Sequence, residues 1–138
     1  MKAFRTKAKK LSGTSYSDVY KKAFGFYTQI KKRSKRRTYI RSAYFKKDKI
    51  FLSIFWHHLG EKFSNKDRLR RLKFYPCALE LIINSKITPA SKENVDKPSE
   101  ILHRFTGITP ENEIFFVQIK ESKNTDQKYL ISIFPMGN

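Results

Sequence analysis

Cysteine is almost missing from this chain. Cys77 stands alone, so no internal disulfide can form and a reducing compartment is expected. Its position just ahead of ALELII reads as core filler at the start of a helix. Histidine is nearly as scarce. With three histidines and one cysteine, no spacing suggests a metal site, and the adjacent His57 and His58 point to two sides of a helix. His58 lies on an apolar stripe and reads as a buried structural residue. Long hydrophobic runs are absent too: IFLSIFW, ALELII, IFFVQI and YLISIF all fall far short of the roughly 20 residues a membrane span needs. The opening MKAFRTKAKKLSG carries the charge of a signal peptide without its apolar stretch, so a cytoplasmic location is expected. No cofactor is called for.

Acids are the fourth shortage. Twelve Asp and Glu face 30 Lys and Arg, a formal net charge of +18. What is present in quantity is apolar: 39% hydrophobic residues, with 14% aromatic, indicate a folded body, and 138 residues suit one domain. The charge is lopsided. Residues 1–47 hold 16 basic residues against Asp18 alone, or +15, and residues 48–138 hold 14 against 11 acids, or +3. Such concentration favours polyanions through counterion release, without sequence specificity. A solvated tail, an acidic protein partner or an anionic membrane surface are the other uses of such charge. With KKRSKRR interleaved among aromatics, nucleic acid is favoured, and RNA above DNA.

The chain divides into a flexible basic leader, 1–13, and a single domain, 14–138, with a basic helical part (14–47) and an α+β body (48–138). Ser15 or Ser17 can cap a helix over 14–33, in which Val19, Ala23, Phe26, Tyr27 and Ile30 recur at helical spacing. Residues 38–45 form a short strand or an extended connector. A second helix is expected from Asp48, with Ile50, Phe51, Ile54, Phe55, His58 and Leu59 on one stripe. A third helical region over 64–86 is interrupted at Pro76. The polar stretch KITPASKENVDKPSE reads as an exposed loop. Three strands follow, 100–108, 113–121 and 128–135, joined by short polar turns. The fold class is α+β: N-terminal helices packed on a small antiparallel sheet built mainly from the C-terminal strands.

Polar residues interrupt these apolar strands. By simple alternation His103 and Arg104 point to opposite faces, while Tyr129, Ile131 and Ile133 alternate with Leu130, Ser132 and Phe134. Metal-free RNA cleavage by the 2′-hydroxyl needs a base, an acid, and cations at the phosphate. His103 can serve as base or acid. Arg104 and Lys120 can hold the phosphate, Ser132 can donate to a non-bridging oxygen, and Tyr129 or Phe134 can stack on a splayed base. RNA-binding candidates outside the strands are Lys31, Lys32, Arg33, Lys35, Arg36 and Arg37, with Arg68 and Arg71 as further phosphate contacts.

The succession ALELIINS, EILHRFTG, FFVQIKE and ISIFP, over about residues 66–135, resembles the small ribonuclease superfamily that includes barnase, EndoU, the tRNA-cleaving colicins and RelE-type toxins. The resemblance implies N-terminal helices on a four-stranded antiparallel sheet and a metal-independent endoribonuclease of toxin type. It also implies His or Arg, Lys and a late Ser as site residues, and an acidic antitoxin or the ribosome as partner beside RNA. The chain departs from the pattern in lacking a second placed histidine and a catalytic glutamate. In the RelE-like variety cations and an aromatic replace that pair, which gives weight to Arg104, Lys120 and Tyr129. The alternative is a non-catalytic RNA- or DNA-binding module that uses the basic arm.

Overall fold

Ser15 starts the first helix: its side-chain oxygen accepts from the Asp18 N–H at 3.1 Å, in the place of one missing helical acceptor. In the computed structural model, which describes residues 2–137, the elements in chain order are β1 (Phe4–Arg5), α1 (Tyr16–Arg33), β2 (Tyr39–Arg41), β3 (Lys49–Phe51), α2 (Ser53–Lys62), α3 (Asn65–Leu72), α4 (Tyr75–Asn84), β4 (Ala90–Asn94), β5 (Lys97–Ile108), β6 (Ile114–Ser122) and β7 (Lys128–Pro135). The α+β class holds. The sheet, however, is mixed and wider than expected, ordered β1-β5-β6-β7-β3-β2, with β4 also beside β5. β4 through β7 pair antiparallel, whereas β1 joins β5 and β3 joins β7 in parallel.

Three sequence expectations are corrected here. The helix expected from Asp48 begins only at Ser53, because Ile50 and Phe51 pair with Lys128 and Tyr129 of β7 and with Ile40 and Tyr39 of β2. The expected loop after Ile87 contains β4, an edge strand whose polar side chains are compatible with pairing on one side only. The leader, expected to be flexible, is tied down. Thr6 N–H donates to the Ile108 carbonyl at 2.9 Å, Leu11 N–H donates to Lys73, and the Glu80 carboxylate accepts from the Lys7 and Ala8 amides.

The helices cover one face of the sheet. Phe74 stacks on Phe115 with centroids 5.3 Å apart, and an aromatic block of Tyr20, Phe24, Tyr27, Trp56 and Tyr75 locks α1, α2 and α4 together. α4 approaches β5 so closely at Gly107 that a Cβ there would collide with the Phe115 ring and come within 2.9 Å of Leu81. Cys77 is buried as expected. Its Sγ lies 3.3 Å from the Ala8 carbonyl, and burial pushes the thiol up to about 11, so it is inert near neutrality. His58 is half-buried and His57 exposed. Among the described residues no helix is long and apolar enough to cross a membrane.

Candidate nucleic-acid interface

The other face of the sheet keeps its side chains half-buried or exposed, the buried Glu100 excepted, and its chemistry follows from strand parity. On β5 the even positions point that way, and Arg104 is exposed; on β6 they are Phe116, Gln118 and Lys120. On β7 alternation fails. The register slips between Gln118 and Ile119: Ile119 pairs with Leu130 and Gln118 with Ser132, leaving Ile131 as the extra residue of a bulge. Leu130 and Ile133 therefore both sit in the core at 0% exposure, and Tyr129, Ser132 and Phe134 all reach the open face. Simple alternation had set Tyr129 against Ser132.

Four of the five expected site residues thus meet. Arg104 rests against the rings of Phe116 and Phe134 at 5.6 and 5.7 Å, and those rings lie 5.4 Å from each other. Lys120 sits 5.4 Å from the Tyr129 ring and 3.4 Å from the Glu100 carboxylate. Ser132 Oγ accepts from Arg71 at 3.1 Å, and the same guanidinium lies 3.8 Å over Phe63. Half-burial lowers the Arg71 pKa, with Asp67 pulling the other way.

His103 is the exception and does not join them. It points to the helix side at 7% exposure, with Nδ1 2.7 Å from Ser91 Oγ and Nε2 2.8 Å from Glu121 Oε1. This geometry fits the tautomer in which Nε2–H donates to the carboxylate and Nδ1 accepts from the serine. Phe45 packs edge-on against the ring at 5.0 Å. Both ring nitrogens are engaged, a sheet's thickness from Arg104 and Lys120. Arg68 is also redirected: it donates to the Gly60 carbonyl at 2.6 Å and to Asn65 at 3.3 Å, and so fastens α3 to α2 instead of facing a ligand.

The basic cluster joins the open face. Lys31, Lys32 and Arg33 end α1, where cations suit the helix dipole, and Lys35, Arg36 and Arg37 follow, all exposed. Arg37 lies 3.7 Å over the Phe51 ring and 5.5 Å from Tyr129, and donates to Gln127 at 3.3 Å. Beside it is a groove of about 540 Å³ whose lining includes five cations (Arg33, Lys35, Arg36, Arg37 and Lys49) and no acid, with Tyr39 and Phe51 among the lining rings. Lys49 and Arg41 sit 4.7 and 5.4 Å from Tyr39. Tyr39, Lys49 and Phe51 escaped the sequence reading. Phe51 was hidden in a helical stripe, and only the β3–β7 pairing places it beside Tyr129 at 5.8 Å.

Glu100 belongs to the same face. Burial raises its pKa, but the Asn94 amide, Lys120 and Lys97 outweigh that and hold the carboxyl below its ordinary value. A depressed folded-state pKa stabilises the fold above the ordinary carboxylate range, about 4.3, and the contribution fades as pH falls through the lower folded value. Melting curves of the natural protein and of Glu100→Gln should therefore differ most near neutrality and converge in acid. A gap that stays constant or widens on acidification would contradict the assignment.

Comparison of the chain with protein-family models, with curated proteins and with solved structures yields no match.

Proposed function

We propose that this is an RNA-binding protein whose ligand lies on the open face of the sheet. One observation carries the reading: cations and aromatic rings alternate across that face from Arg104 on β5 to Tyr39 on β2, and Arg37 links the face to the KKRSKRR groove. A patch made for an acidic protein needs the cations but not the rings. Bases offer planar surfaces for the rings and phosphates for the cations. A filter or anisotropy titration with total cellular RNA at graded salt tests it. Binding that weakens steeply with salt, and weakens further in Arg104→Ala, is expected. An absence of RNA binding at low salt would end the proposal.

A second reading, metal-independent endoribonuclease, keeps one specific observation in its favour: Glu100, an ionised carboxylate, stands 3.4 Å from Lys120 on the face that also carries Arg104 and Ser132. Those groups could take a 2′-hydroxyl proton and neutralise the phosphorane. With His103 on the far side, this chemistry would run without imidazole. Incubation with RNA in excess EDTA, with mapping of ends, decides it. Cyclic phosphate ends that disappear in Glu100→Gln and Lys120→Ala support cleavage; intact RNA leaves binding as the function. A toxin paired with an acidic antitoxin, or a ribosome-dependent enzyme, is proposed only within this reading.

A further inference from the structure

Resting on the RNA-binding reading, we infer that the ligand is a single strand, not a duplex, of about four to six nucleotides laid across the strands. Bases lie on the rings of β6, β7 and β3, and phosphates enter the groove beside Arg36 and Arg37. The rings fall on successive strands: Phe116 and Phe134 as a pair, Tyr129 next, then Phe51 and Tyr39 with centroids 6.4 Å apart. A duplex buries its base faces in its own stack and offers a protein chiefly phosphates and groove edges. Rings in its path would gain nothing. Unstacked bases can use each of them.

The span sets the length. From β5 to β2 the path crosses four inter-strand gaps, about 19 Å at the usual spacing of strands. That distance takes roughly four to six nucleotides, the low end of single-strand site sizes. A small recess of about 150 Å³ edged by Ala90, Leu102, Arg104 and Gln118 ends the path on one side, and the five-cation groove ends it on the other. The unequal ends give the strand a direction, with its more heavily neutralised phosphates toward β2. Arg37, Lys120 and Arg104, which rest against rings, are long enough to turn from ring to neighbouring phosphate as a base arrives.

The test uses the full chain and fluorescent oligouridylates of about two to ten nucleotides, beside an RNA duplex of matched phosphate number, at one salt concentration. Affinity should climb steeply with length to about six nucleotides and then flatten, and the duplex should bind at least about tenfold more weakly. The double variant Phe51→Ala/Tyr129→Ala should lose about a hundredfold on single strands and less than about twofold on the duplex, a tenfold loss per stacked base. Phe51→Leu, which keeps apolar bulk but not the flat ring, guards against a folding defect and should lose about tenfold on single strands alone. Duplex affinity equal to or above that of the single strand overturns the inference, as does an unaltered double variant, while RNA binding itself stands. No affinity for either form overturns the binding reading and the inference with it.

Discussion

Replacing Lys35 and Arg36 together by alanine should weaken RNA binding about a hundredfold at about 50 mM salt and hardly at all near 1 M. Both side chains are exposed and line the groove beyond α1. Each phosphate contact made by such a cation releases close to one counterion, so its contribution is about a factor of ten at low salt and vanishes as salt approaches the standard state. Two lost contacts therefore multiply to roughly a hundredfold and, on a single strand, reduce the slope of log affinity against log salt by about 1.4. The slope is the sharper readout, because it counts phosphates whatever the RNA. Parallel lines for the natural protein and the variant would mean that the groove touches no phosphate.

Lys128→Met should lower the melting temperature by about 10 °C. Lys128 is 4% exposed, and its Nζ lies 2.9 Å from Asp48 Oδ2, 3.3 Å from the Asp126 carbonyl and 3.8 Å from Glu121 Oε2, over the Phe45 ring. Glu121 in turn accepts from His103, so one chain of contacts runs Asp48–Lys128–Glu121–His103–Ser91 and joins the turn before β3 to β7, β6, β5 and β4. Removing one partner of a buried ion pair typically costs about 3–5 kcal/mol. Asp48 and Asp126 are well exposed and water can solvate them, so about 2–3 kcal/mol is the better figure here. For a domain of this size that corresponds to roughly 10 °C, measurable by calorimetry or circular dichroism. Adding Glu121→Gln should restore part of the loss, because the stranded carboxylate is then gone. A melting temperature within about 3 °C of the natural protein would show the pair to be energetically idle.

Local signals carried much of this fold. Ser15 and Ser64 cap α1 and α3 as their sequence positions suggest, Pro76 sits in the first turn of α4, and β7 runs over the residues expected of it. What stayed hidden was set by pairing. β3 is three residues long and continues without a break into apolar helix, so helical periodicity absorbs Ile50 and Phe51. β4 is an edge strand with one partner and has no need of an apolar face. The site was half legible for the same reason. Parity set Arg104 against His103, but only the β5–β6 register puts Arg104 and Lys120 on one face, and the bulge at Ile131, without which Ser132 and Tyr129 cannot share it, has no sequence signature. His103 draws notice in the sequence through its chemistry near neutral pH, whereas its position between Ser91 and Glu121 is fixed by contacts that only the tertiary structure creates.

The two-residue β1 pairs Phe4 and Arg5 with Gly107 and Ile108, and docking it on the folded domain costs the chain entropy of the residues ahead of Tyr16. Two ladder positions, the Glu80 bonds and the Lys10–Glu113 pair offset that only once β5 and α4 are already in place. Docking of the leader therefore requires β5 and α4 to be folded, whereas its loss does not require theirs. Its detachment leaves the groove intact, because KKRSKRR is anchored through α1. Under the RNA-binding reading, a leader freed from those contacts would carry Lys2, Arg5, Lys7, Lys9 and Lys10 through a wider volume than the folded body and could meet a phosphate chain before the groove does. The measure of such a role would be the rate of capture, not how long a bound RNA stays.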